Sequence, residues 1–236
     1  MSNRSRCEAP APRPLPGTLP PARLARYVTH QLGALFPDGH PGHGDAVRGA
    51  LPRALARLER CLAGLTVARF ARDGAPFFDH LNSEQYAMFL YLLAHECGRE
   101  GEKLRTTATK LYLLNKALHG LEAFYEIELP EIFYLAHPVG TVLGRAHYGN
   151  RLLVMQGCTV GNVDGKYPRL GERVVLCAHS VVLGDCRLGD GVCVGAGSLL
   201  VNATVPAGRT AVGRGKELTL LARPARLWQN YFRPAA

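Results

Sequence analysis

The chain has 236 residues, 47% of them hydrophobic and 20% charged, with a net charge of +9. That length holds one domain or two modest ones with a real core, and no apolar run is long enough to cross a bilayer, which argues against a membrane-spanning protein. The basic excess suits an anionic partner. The basic residues are dispersed, however, and no nucleic-acid motif accompanies them, so no nucleic-acid partner is expected and a phosphate-bearing small molecule is the more economical one.

Six prolines fall between Pro10 and Pro21, and residues 1–21 are expected to form a disordered or extended tail. No apolar run follows the N-terminal arginines, so no secretory signal is read and a cytoplasmic location is expected. Helical patterns run from Ala22 to Phe36 and from Val47 to Val67, split by the Gly/Pro/His-rich stretch 37–44. His40 and His43 in that stretch lack the cysteines or carboxylates of a metal site and read as loop residues. A third helix starts near Asn82 or Ser83, either of which can cap it. It carries Tyr86, Phe89, Leu90 and Leu93 on one face and ends at Gly98 and Gly101. His95-Glu96 begins like a zinc-protease motif, but position 99 is arginine, and that reading is discarded. A fourth helix runs from about Glu102 to His119, with Leu104, Leu111, Leu114 and Leu118 as its apolar stripe. Residues 22–121 are therefore expected to be a helical domain that caps a solenoid and supports assembly.

The solenoid follows from a period of six. Tyr148, Val154 and Val160, then Leu170, Leu176, Val182, Leu188, Val194, Leu200, Pro206 and Val212, lead successive sixes, with Val142 first. The fifth places hold small or β-branched residues such as Cys158, Ser180, Cys186, Val192 and Ser198. Neither a helix nor an alternating strand has this period. It marks short strands joined by corners and stacked as a parallel β-helix, three sixes to a coil. The frame breaks once: Val160 and Leu170 stand ten residues apart, so four residues leave the coil within 162–169, and such excursions tend to hold binding groups. The seven cysteines show no metal spacing and are read as reduced thiols, Cys158 and Cys186 as small core residues. His147 and His179 read as exposed corner residues. Residues 122–216 are expected to form the β-helix, residues 217–236 a C-terminal tail, and the whole an α+β chain.

The segment His137-Pro-Val-Gly-Thr-Val-Leu-Gly144, then Gln156-Gly-Cys-Thr-Val-Gly161, then Gly195-Ala-Gly-Ser198, resembles the serine O-acetyltransferase family of hexapeptide-repeat acyltransferases. The resemblance covers roughly residues 126–213. It implies a left-handed coil, typically trimeric and often paired into a dimer of trimers, with the acyl-donor groove between neighbouring copies. It also implies transfer of an acetyl group from acetyl-CoA, as a co-substrate and not a tightly bound cofactor, to a small hydroxyl-bearing acceptor such as serine. His137 would be the general base. A carboxylate should orient its ring: the family's aspartate lies upstream, and here the shorter stretch makes Glu126 the nearest equivalent and Glu128 the second choice. A backbone N–H near Gly161 and Asn162 would meet the oxyanion. The pantetheine arm would run by Ala178 and the turn of Gly195, Ala196 and Gly197, and Arg214 and Lys216 would face the coenzyme's phosphates. No metal is implied.

This sequence departs from the family pattern around the acceptor. Ala136 stands where the family has an aspartate, and Lys166-Tyr167, in a shorter loop, replaces an Arg-His pair that grips the amino-acid carboxylate. Lys166 can still meet an anion as a point charge, and Tyr167 can donate one hydrogen bond. Another acceptor, such as a sugar or a biosynthetic intermediate, stays open beside serine. A non-catalytic trimeric scaffold is the third reading.

Overall fold

The computed structural model describes residues 15–222 and 226–234, with the side chains of Lys216 and Arg226 outside that description. Four helices come first: α1 (Pro21–Leu35), α2 (His43–Ala63), α3 (Ser83–Gly98) and α4 (Arg105–His119). Helix α3 is buried on nearly every side, from Glu84 to Cys97, so it forms the axis of the helical domain. Asn82 caps it by accepting the Gln85 N–H at 3.1 Å, resolving the choice between Asn82 and Ser83. The glycine at 120, at φ 63°, ends α4 as expected. A two-strand ribbon, β1 (Ala71–Arg72) and β2 (Ala75–Pro76), lies between α2 and α3.

The period of six becomes a prism with three faces. The first face stacks β4 (Phe133–Leu135), β7 (Leu152–Val154), β10 (Val175–Leu176), β13 (Cys193–Val194) and β16 (Thr210–Val212). The second stacks β3 (Glu122–Ala123), β5 (Val142–Leu143), β8 (Thr159–Gly161), β11 (Val181–Leu183) and β14 (Leu199–Val201). The third stacks β6 (His147–Tyr148), β9 (Arg169–Leu170), β12 (Arg187–Leu188) and β15 (Thr204–Val205). All pairings within these stacks are parallel and in register, giving about five turns. The leading residues from Tyr148 to Leu200 point inward and are buried, as are Cys158, Ser180, Cys186, Val192 and Ser198.

The ends of the frame differ from the sequence reading. Leu143, not Val142, is the inward residue of β5, and Val205 and Ala211 take the inward places expected of Pro206 and Val212. In both cases the corner between the second and third faces is one residue shorter than a strict six. The first coil also begins before Val142, because β3 and β4 already belong to the stacks.

Neither terminus runs free where it is described. Residues 15–18 lie along Phe78, whose N–H donates to Pro16 O at 2.9 Å, and Leu15 is buried; the remainder of the expected tail, 1–14, lies outside the described residues. The expected C-terminal tail instead adds β17 (Thr219–Leu221) antiparallel to β16. A 3-10 helix (Arg226–Asn230) follows, and Phe232, 1% exposed, then pairs with Leu65 beside the helical domain. Partly buried aromatic side chains there, Trp228 and Tyr231, pack against the core and explain the return.

Candidate active site

His137 sits at the first turn of the corner between the first and second faces, directly after β4, with φ 50°. The same left-handed backbone recurs down this corner at Gly157, His179 and Gly197, so it belongs to the repeating turn. Its side chain is 75% exposed, but Nδ1 faces Oε1 of Glu84 at 3.3 Å. The same oxygen accepts the His137 backbone N–H at 3.2 Å. Glu84 belongs to the first turn of α3, where the helix dipole favours an anion, and its side chain is only 4% exposed. Its other oxygen accepts from Arg69 and, at 2.9 Å, from the Tyr134 hydroxyl, which itself accepts from Arg69 at 2.8 Å. Burial, with Glu84 beside it, pushes the Tyr134 phenol well above its ordinary range, so it stays a donor. A buried carboxylate is tolerable when paired and hydrogen-bonded in this way. The arrangement leaves Nε2 of His137 on the open edge of the corner.

Glu126 and Glu128 are placed elsewhere. Glu126 faces Arg145 at 3.4 Å, and Glu128, 80% exposed, faces His95 Nε2 at 3.6 Å. The carboxylate that meets His137 is therefore Glu84, from the helical domain. Proximity in sequence pointed instead to the strand-side stretch just upstream of His137. Glu84 stands in the first turn of α3, and nothing local in the sequence ties that turn to position 137.

The corner continues below His137 as a column. Gly157 donates its N–H to Val139 O at 3.0 Å, His179 to Gln156 O at 2.9 Å and Gly197 to Ala178 O at 2.9 Å. Arg214 Nε then reaches Gly197 O at 3.1 Å. Four strand spacings separate the His137 and Arg214 corners, roughly 19 Å. Ala178, Gly195, Ala196, Gly197 and Arg214 thus line one edge with His137. The Lys216 side chain lies outside the described residues. The His179 ring fills the space above Gly157, where an added Cβ would stand 2.3 Å from Nδ1.

The remaining candidates gather at a different corner. Gly161 ends β8 at the junction of the second and third faces, where its carbonyl accepts the Gly184 N–H at 3.0 Å. Asn162 follows it, and the 162–169 excursion carries Lys166 and Tyr167 out from the same junction, closed by Val163 and Lys166 bonding each other's backbone at 3.0 and 3.2 Å. Within one chain, then, the second face separates His137 from Gly161, Asn162, Lys166 and Tyr167. Its outer side carries Val181, Leu183, Leu199 and Val201, all partly or fully exposed. Among the described residues no group of three or more His, Cys, Asp or Glu could hold a metal, and no helix is long and apolar enough to cross a membrane.

No family model matches the chain. Serine acetyltransferase from Helicobacter pylori is 31% identical over 140 residues, covering 57% of this chain and 80% of that protein. Serine acetyltransferase from Synechococcus elongatus is 35% identical over 135 residues, covering 54% and 55%. Serine acetyltransferase 2 of Arabidopsis thaliana is 29% identical over 138 residues, and the match spans only 42% of its length. Among solved structures, serine acetyltransferase from Neisseria gonorrhoeae superposes with a TM-score of 0.62 at 22% identity, covering 89% of this chain and 81% of that one. That from Brucella abortus superposes with 0.63 at 19%, covering 86% and 84%. These likenesses show the shared fold, a helical region followed by a parallel β-helix.

Proposed function

Because the chain belongs to the serine acetyltransferase family, and is an acyltransferase, we propose that it moves an acetyl group from acetyl-CoA to the hydroxyl of serine, with His137 as general base. The observation that carries this reading is the His137–Glu84 contact at the head of a corner column long enough for an extended acyl donor.

In this mechanism Glu84 accepts from Nδ1–H and fixes the tautomer, leaving the Nε2 lone pair toward the acceptor. Nε2 takes the hydroxyl proton as the oxygen attacks the thioester carbonyl carbon. The tetrahedral oxyanion takes a backbone N–H near Gly161 and Asn162. Its collapse breaks the C–S bond, and the departing thiolate takes the proton back from the imidazolium. The products are the O-acetyl ester and free CoA. Arg69 and Tyr134 act through Glu84, as positioning residues. Ala178 and Gly195–Gly197 border the pantetheine arm, and Arg214 with Lys216 meets the coenzyme's phosphates. Lys166 and Tyr167 meet the acceptor's carboxylate. They lie at the other corner, so a complete site takes its second corner from a neighbouring copy, as in a homotrimer. Pairing of trimers through the helical domains, and a cytoplasmic location, belong to the same proposal.

The test is steady-state CoA release with serine and a panel of other hydroxy and amino acceptors. Serine should be preferred, and His137→Ala should abolish release with every acceptor. Undiminished turnover in that variant would sink the reading. Preference for a sugar would move the acceptor assignment while leaving the donor side intact. The Lys166-Tyr167 loop motivates that arm.

A further inference from the structure

The outer side of the third face carries a ladder of basic side chains that the acetyl-transfer reading does not use. His147 is the register partner of Arg169, and Arg169 of Arg187, on the adjacent parallel strands β6, β9 and β12. All three side chains point outward and are exposed, while Tyr148, Leu170 and Leu188 beside them point inward. Neighbouring strands lie about 4.8 Å apart. Like charges placed directly opposite on one sheet face oppose folding. The ladder is therefore a local cost that the coil could have avoided, since the next residue in the same column is Thr204.

Little in the chain compensates this charge. Arg187 Nε faces Asp185 Oδ1 at 3.4 Å. Among the described residues, the side chains of His147, Lys166 and Arg169 make no ion pair or hydrogen bond. Together these groups line an open cavity of about 390 Å³, completed by Tyr167 and Pro168. Lys166, Arg169 and Arg187 set against Asp185 give an excess of two positive charges, before any on His147. Two guanidinium forks on adjacent strands, each able to donate in bidentate fashion, match the several acceptor oxygens of a tetrahedral anion better than one planar carboxylate. The Tyr167 ring, 43% exposed, offers a flat wall for an attached group and a hydroxyl donor.

We propose that this surface is a binding site for a phosphate monoester dianion, held between Arg169 and Arg187 with Lys166 at its rim. The site stands on charge, register and cavity, and it shares Lys166 and Tyr167 with the acceptor end proposed above. The phosphate can come from a free phosphate ester or from a phosphate group of coenzyme A, and competition separates these sources.

The experiment is isothermal titration of the full chain with inorganic phosphate and with glycerol 3-phosphate, at ionic strength held constant with chloride. Saturable binding is expected, at least tenfold weaker in Arg169→Gln/Arg187→Gln. A charge-matched control, Arg23→Gln/Arg26→Gln on exposed positions of α1, should bind like the wild type. Without ligand, the ladder variant should melt no lower than the wild type, because a repulsion has been removed; phosphate should raise the wild-type melting temperature and leave the variant's unchanged. Titrating coenzyme A into phosphate-saturated protein then assigns the source: competition that disappears in the ladder variant identifies the coenzyme's phosphates, and independent binding identifies a separate ester. Equal loss of phosphate affinity in both double variants, or unaltered affinity in the ladder variant, overturns the proposal.

Discussion

At the scale of single residues, Glu84 is the group that orients His137 in the proposed reaction. Its carboxylate is held by Arg69 and Tyr134 on one oxygen and meets His137 with the other. Glu84→Gln keeps the shape but offers an amide with its own N–H donors, which can no longer fix the imidazole tautomer. We expect kcat to fall by about 10²-fold or more, with the KM for acetyl-CoA within about twofold of wild type. Tyr134→Phe, which leaves the Arg69–Glu84 pair in place, should cost much less. A merely structural Glu84 would instead lower the amount of folded protein without shifting the kcat profile against pH, so that profile is the measurement. Gly157 is the second residue of this kind. At φ 66° and with the His179 ring where a Cβ would go, Gly157→Ala should lose about 1–2 kcal/mol in chemical denaturation through strain and displacement of that ring. The run around His137 could be singled out from sequence because the corner itself carries it. Glu84 could not, because it lies 53 positions away, and no local pattern announces which helix turn will pack beneath a given corner.

Elements show the same boundary between what periodicity reveals and what packing adds. The inward column from Tyr148 to Leu200 followed from the period of six, because one side chain in six must fill the prism. The slip to Val205 and Ala211 was not legible, since a corner shortened by one residue keeps its composition while changing its register. The helices were placed within a few residues by their apolar stripes and by their caps at Asn82 and Gly120. The return of the C-terminal segment had no such signal: it is held by scattered aromatics without a repeat. Helix α4 carries a testable consequence of its packing. Burial lowers His119 from its ordinary value of 6.5 to about 4, and its Nδ1 lies 2.8 Å from Asn115 Oδ1. Between these two values the unfolded chain takes up a proton that the folded chain refuses, so stability present above pH 6.5 is lost as the pH falls toward 4. The full loss is about 3 kcal/mol. His119→Gln should flatten that part of the stability curve relative to wild type, measured as urea midpoints from pH 7 to pH 4. Identical slopes in the two proteins would refute the assignment.

The whole molecule carries its candidate site residues at two corners that a single chain holds apart. His137, Ala178, Gly197 and Arg214 follow one edge of the second face, while Gly161, Asn162, Lys166 and Tyr167 follow the other. The face between them is apolar outside, with Val201 45% exposed and Leu183 and Leu199 partly so. A closed ring of copies, in which one copy's first edge meets its neighbour's second, would cover such a face and complete a site at every junction. The proposed trimer therefore predicts complementation between two inactive variants. His137→Ala lacks only the base, and Lys166→Ala/Tyr167→Phe lacks only the acceptor groups at the opposite edge. If they are unfolded, mixed in equal amounts and refolded together, a junction is intact when the copy giving the first edge is the loop variant and its neighbour is the His137 variant. With random assembly that holds at about a quarter of junctions, so CoA release should recover to about a quarter of the wild-type rate, while each variant refolded alone stays inactive. Native mass spectrometry of the mixture, with one variant isotopically labelled, reports whether mixed trimers formed. Mixed trimers without recovered activity would place the two edges in separate sites, and the acceptor would then have to be sought along the His137 column alone.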